Sequence, residues 1–139
     1  VIRPAPDGDE RARVAAALGG ALEARPEIRF ACLHGSFARG EPYRDVDVAI
    51  WIDPMLVAPE ARVSYMLDLA VDLEEALGQR VDLQILNDAP LAFRYHALAG
   101  QALAVRDRDE FDDLRARTWD EYFDFLPFAR QYLREVLGA

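Results

Sequence analysis

The chain has 139 residues, enough for one domain, and 52% of them are apolar, the proportion of a protein that buries a core. A net charge of −9 argues against a protein whose main task is gripping nucleic acid, because Lys and Arg supply most of that affinity. All 16 basic residues are arginine, and without lysine there is no Walker A loop, Schiff-base nucleophile or pyridoxal phosphate anchor.

In chain order, Val1 to Gly8 carries two prolines and a glycine and reads as loosely ordered. From Asp9, a candidate N-cap, Val14, Leu18 and Leu22 fall on one helical face, with Gly19-Gly20 weakening the middle and Pro26 marking a break. Arg29 to His34 is a short strand that ends at the turn-like Gly35-Ser36. Its Cys32 lies in an apolar run and reads as a buried structural thiol. Asp45 to Ile52 is the clearest strand, with Val46, Val48, Ile50 and Ile52 on one face and Asp45, Asp47, Ala49 and Trp51 on the other. Glu60 to Leu77 is an amphipathic helix with Val63, Met66, Leu67, Ala70, Leu73, Glu74 and Leu77 near 3.6-residue spacing and Gly78 as C-cap. Arg80 to Leu86 alternates as a third strand, Leu91 to Leu98 is a short helix opened by Pro90, and Ala102 to Val105 suits a fourth strand. Arg108 to Leu137 is helical, with a bend expected at Pro127. The expected architecture is a single α/β domain over 1–139: a small mixed sheet with carboxylates on one face and helices packed on the other.

The carboxylates carry the chemistry. Asp45 and Asp47, two apart on a strand, leave the same face with Cα atoms roughly 6–7 Å apart. Two like charges at that spacing repel, and a divalent cation turns the conflict into a binding site, since Mg²⁺ takes one or two carboxylates plus substrate phosphates. Asp82 lies on the third strand opposite its apolar residues, so all three carboxylates are expected together, holding two metals or holding one and deprotonating a hydroxyl. The competing reading is three surface aspartates on a solvated sheet face. Ahead of them, Gly35 permits close backbone approach, Ser36 offers an N–H and a hydroxyl to phosphate oxygens, and Arg39 adds charge.

Gly35-Ser36-Phe37-Ala38-Arg39-Gly40 followed by Asp45-Val46-Asp47 resembles the signature of the DNA polymerase β-like nucleotidyltransferases, and within them the minimal nucleotidyltransferases, or MNT proteins. Val81-Asp82-Leu83 through Pro90 is similar to the strand of the third carboxylate and the turn after it, and Tyr122 to Pro127 to the stretch that ends many MNT antitoxins. The resemblance implies that Gly35 and Ser36 hold the phosphates of ATP. It implies that Asp45 and Asp47 coordinate Mg²⁺, and that Asp82 completes the triad and assists the nucleophile. It further implies a HEPN-domain partner encoded nearby, silenced by transfer of AMP to a tyrosine. One departure stands out: only Phe37 to Arg44 separate Gly-Ser from Asp-x-Asp, a shorter spacer than the family commonly has, and Arg44 replaces a small polar residue.

Two other functions are weighed against this one. A small-molecule, antibiotic-type nucleotidyltransferase would need an acceptor-binding domain for which the chain has little room. A non-catalytic module that neutralises a toxin by occlusion would use the acidic surface and the aromatic C-terminal helix. His34 and His96 show no zinc-site spacing, and His34 reads as a strand-end packing residue. Tyr95, Trp119, Tyr122, Phe123, Phe125, Phe128 and Tyr132 read as core or partner interface rather than a base-stacking surface. Arg106 to Glu110 reads as a solvated turn before a helix. No apolar run approaches the ~20 residues of a membrane span and no signal-peptide pattern opens the chain, so the cytoplasm is the expected compartment.

Overall fold

The alternating and helical patterns resolve, in a computed structural model that describes residues 1–138, into one four-stranded sheet between two layers of helices. The first helix, α1 (Gly8–Glu23), leads into β1 (Ile28–His34), the four-residue turn α2 (Gly35–Ala38) and β2 (Val46–Ile52). A 3₁₀ turn precedes α3 (Arg62–Leu77), followed by β3 (Val81–Ile85), α4 (Leu91–Leu98), β4 (Gln101–Val105) and α5 (Arg108–Leu137). The strand order is β3-β2-β1-β4; β1 runs antiparallel to both neighbours and β2–β3 is parallel, with α3 as the crossover. No described helix is long and apolar enough to cross a membrane.

Each sheet face has its own core. On one, Val46, Val48, Ile50 and Ile52 meet Leu18 and Leu22 of α1 and Leu69 and Leu73 of α3. On the other, Phe30, Cys32 and Ala49 meet Ala97 and Leu98 of α4 and Phe111 and Leu114 of α5. The α/β class and the mixed sheet are as the sequence indicates, but helices cover more than one face. Phe30, Cys32, Ala49 and Trp51 make the far end of the carboxylate face apolar as well, and each large side chain buried there contributes about 1.5–3 kcal/mol. Cys32 is fully buried, which pushes its thiol up to about 12 and leaves it inert.

Several local expectations change. Asp7, not Asp9, caps α1: its Oδ1 accepts from Glu10 N at 2.7 Å. On α3 the buried residues are Arg62, Leu69 and Leu73, whereas Val63 and Leu67 are 65% and 59% exposed. Gly19 has a positive reason to be in a helix, because α1 crosses β4 there and a Cβ would lie 2.8 Å from the Leu103 carbonyl oxygen. Arg106 is exposed at a bend before α5, as read, but its guanidinium also donates to the carbonyls of Ile28 (2.7 Å), Glu23 (2.7 Å) and Arg25 (2.5 Å), tying the end of α1 to β1 and β4. Ahead of α1, Arg3 exchanges two backbone hydrogen bonds with Tyr43. Helix α5 has the bounds read from the sequence, Arg108–Leu137, with Pro127 inside it, and its last buried residue is Thr118.

Candidate active site

Sheet register brings the acidic residues together. Asp47 pairs with Asp82 on β3 and with His34 on β1, so three strands present Asp82, Asp47 and His34 in one row. The row lies at the end of the carboxylate face away from Phe30 and Trp51, where the second core is built. Asp45 stands one residue before β2. Asp47 is half-buried, and its carboxyl is pushed up to about 6, first by burial and then by the neighbouring Asp82 and Asp45, with Arg39 opposing. Asp82 is exposed and accepts from Gln84 Nε2 at 2.9 Å, while Asp45 Oδ1 lies 3.5 Å from Arg80 Nε.

The turn beside the row is shaped by contact with it. Gly35 has φ +77°, and a Cβ there would run into the Asp47 carboxylate. Only glycine satisfies both conditions. Phe37, fully buried, packs edge-on against Tyr43 with ring centroids 4.9 Å apart, which fixes α2 between β1 and the loop before β2. The opening N–H groups of such a turn lack partners within it and are free for an anion. Ser36, Asp45 and Asp47 line an open cleft of about 400 Å³ together with Arg44 and Tyr43. Arg39 is exposed, paired through Nε with Glu41 at 2.7 Å, and its Nη2 sits 3.5 Å from Ser36 Oγ.

All six residues singled out from the sequence (Gly35, Ser36, Arg39, Asp45, Asp47 and Asp82) therefore fall around one edge of the sheet. His34 does pack as read, edge-on to Phe93 at 5.5 Å, yet it also stands beside Asp47. Burial pushes its imidazole below the ordinary value; Asp82 opposes this and Arg39 adds to it. Sequence reasoning missed Gln84 and Arg80, which hold Asp82 and Asp45. The signal for Gln84 was present, since it lies two residues from Asp82 on the same strand face, whereas Arg80 precedes the strand.

The donor set suits a hard divalent cation. Asp45 and Asp47 offer oxygen ligands, and the raised Asp47 carboxyl marks negative charge that Arg39 offsets only in part. Among the described residues no three His, Cys, Asp or Glu side chains form a ready cage, a state compatible with Mg²⁺, which completes its shell with water and phosphate. A glycine-opened turn, a pair of carboxylates and a third carboxylate beside them are the kinds of group that metal-assisted phosphoryl chemistry uses.

Comparison with known proteins bears on the family and the fold. The polymerase beta, nucleotidyltransferase family matches residues 18–109. No curated protein matches the chain. Among solved structures, the chain is similar to one from the complex of a tri-AMPylated Shewanella oneidensis HEPN toxin with MNT antitoxin, at 19% identity and TM-score 0.66, covering 93% of this chain and 99% of that one. A toxin–antitoxin structure with AMP-PNP gives 21% identity and TM-score 0.67 over 90% and 98% of the two chains. An MntA–HepT complex gives 19% and 0.65 over 92% and 99%.

Proposed function

This chain belongs to the polymerase beta nucleotidyltransferase family, and on that premise we propose that it transfers AMP from ATP to a hydroxyl, a tyrosine of a HEPN-type partner, as an antitoxin. The observation that carries the proposal is the Asp82–Asp47 pair on adjacent strands, flanked by Asp45 and set against Gly35. Asp45 and Asp47 would hold Mg²⁺, which when bound neutralises charge on the triphosphate. Gly35 and Ser36 receive phosphate oxygens, and Arg39, 3.5 Å from the Ser36 hydroxyl, adds a cation there. Asp82, exposed at the sheet edge, takes the proton of the attacking hydroxyl. The new bond forms between that oxygen and the α-phosphorus; the bond to the β-phosphate oxygen breaks, and its electron pair leaves with pyrophosphate. The choice of partner is supported by the HEPN toxins with which similar structures are complexed, one of them AMPylated.

A second reading is favoured by one feature of the cleft. Arg44 lines it and Arg80 approaches Asp45, an arrangement in which arginine takes part of the place of a cation. Such a chain would silence its partner by occlusion without turnover. Purified protein, Mg²⁺ and α-labelled ATP, with the neighbouring gene product as acceptor, separate the two under intact-mass spectrometry. Mass steps of one AMP on the partner, absent with the Asp45→Asn/Asp47→Asn double variant, are expected. No transfer, with a tight complex that the double variant still forms, would leave occlusion.

A further inference from the structure

A cavity of about 440 Å³ opens beside β3, where the start of α3, the turn through Asp88 and the start of α4 converge. Arg62 forms one wall. The residue is 9% exposed, and its Nε is buried with no hydrogen-bond partner among the described residues. Its guanidinium makes one hydrogen bond there, from Nη1 to Asp88 Oδ2 at 2.8 Å. The Asp88 side chain is 85% exposed, so solvent screens the pair and the buried positive charge is answered only in part. The opening of α4 adds donors. Pro90 caps it without a side-chain acceptor, and the first bond of the helix comes from Arg94 N, which leaves the N–H groups of Leu91, Ala92 and Phe93 without helical partners. Ile85, Pro90 and Phe93 supply an apolar surround.

A planar guanidinium is a fork for a carboxylate or a phosphate. The apolar surround and the net charge of −9 disfavour a polyanion and favour a single carboxylate carried among apolar groups. Gln84 lines the cavity and also donates to Asp82 at 2.9 Å, so the cavity adjoins the carboxylate assigned above to the acceptor hydroxyl. Strand β3 is the outer strand of the sheet. Just before it Arg80 O accepts from Val46 N, and just after it Leu86 N donates to Ile50 O, so the main-chain groups of Leu83 and Ile85 point away from β2 toward the sheet edge. Resting on the transfer reading for the hydroxyl, we propose that an extended segment of the acceptor protein lies along β3 and anchors an acidic side chain on Arg62. At about 3.3 Å per residue, about two to four residues separate that side chain from the hydroxyl that meets Asp82. Asp88 is then a stand-in for the acceptor's carboxylate and holds the guanidinium until the acceptor displaces it.

The test is calorimetric binding, in Mg²⁺ without nucleotide, of blocked alanine-based peptides that carry one tyrosine and, about two to four residues to either side of it, a glutamate or a glutamine. Glutamate peptides of the matching spacing are expected to bind the wild type about tenfold or more tightly than their glutamine counterparts. Arg62→Gln removes that preference. Asp88→Asn, at an exposed position where folding is not at risk, increases it by freeing the guanidinium. A merely structural ion pair does not give opposite signs at its two ends. No glutamate preference in the wild type, or one that Asp88→Asn leaves unchanged or lowers, overturns the inference, whether or not Arg62→Gln folds. Tighter binding of a single-stranded oligonucleotide than of any peptide, lost in Arg62→Gln, overturns it in favour of a nucleic acid. A glutamate preference that follows both variants, in a protein that transfers no AMP to its partner, supports the carboxylate site and overturns the transfer reading instead.

Discussion

A half-buried carboxyl that faces two others keeps its proton longer, and Asp47 is pushed up to about 6 from 3.8 for that reason. Below the lower value the group is protonated in folded and unfolded chains alike and contributes nothing. Between the two values the folded chain holds the extra proton, so stability falls as pH rises; above 6 the full penalty stands. The variant Asp47→Asn is therefore expected to raise the melting temperature of the metal-free chain near about pH 7.5, by an amount that shrinks as pH falls toward about 4.5. Mg²⁺ should give the wild type a similar gain and the variant little of it. The same variant should lose transfer activity by more than about 100-fold, beyond what loss of an outer-shell contact costs a metal site. Scanning calorimetry across pH, with and without Mg²⁺, reads the first effect, and label transfer reads the second. Gly35 supplies the complementary test. The variant Gly35→Ala puts a side chain into left-handed backbone, a cost of about 1–2 kcal/mol, and drives its Cβ into the Asp47 carboxylate. Expected are a lower melting temperature and loss of transfer together; a variant that melts lower yet transfers at the wild-type rate would detach Gly35 from the site.

At the scale of elements, α1 contains two neighbouring glycines that helix propensity treats alike and the fold does not. A Cβ on Gly20 meets nothing within 4 Å, so Gly20→Ala should stabilise by about 0.5–1 kcal/mol. Gly19→Ala has the same propensity gain but forces α1 away from the Leu103 carbonyl, and urea unfolding should show it less stable than the wild type. The pair illustrates what was legible in the sequence and what was not. Periodicity alone placed Val14, Leu18 and Leu22 inward on α1, because few other residues there are large and apolar. On α3 it succeeded in part: Leu73 is buried and Met66, Ala70 and Leu77 pack against the core, while Val63, Leu67 and Val71 form a second apolar stripe, all more than half exposed, and spacing cannot say which of two stripes meets the sheet. The candidate site was legible because strand alternation fixes Asp45, Asp47 and Asp82 to one face, and parallel pairing of β2 with β3 then sets Asp47 beside Asp82. His34 was not read as part of the row, since that depends on an antiparallel register no local pattern encodes. The roles of Arg106 and Gly19 likewise arise from contacts between elements far apart in sequence, 78 to 83 residues for Arg106.

For the whole molecule, the charge of −9 and the chemistry of its cleft pull in opposite directions. A chain of this length has a radius of gyration of about 14 Å, so most of its carboxylates lie farther from the cleft than Arg39, Arg44 and Arg80 do. The Debye length is about 30 Å at 10 mM salt and about 8 Å at 150 mM. Low salt lets the whole acidic surface repel the anionic Mg·ATP complex, while physiological salt screens that repulsion and leaves the short contacts in the cleft largely intact. The KM for Mg·ATP is therefore expected to fall as salt rises from about 10 mM to about 150 mM, the reverse of binding by a basic groove. Steady-state transfer rates at fixed free Mg²⁺ measure this directly. A KM that rises with salt instead would mean that the three arginines outweigh the rest of the surface even at long range, and that nucleotide capture is governed by the cleft alone.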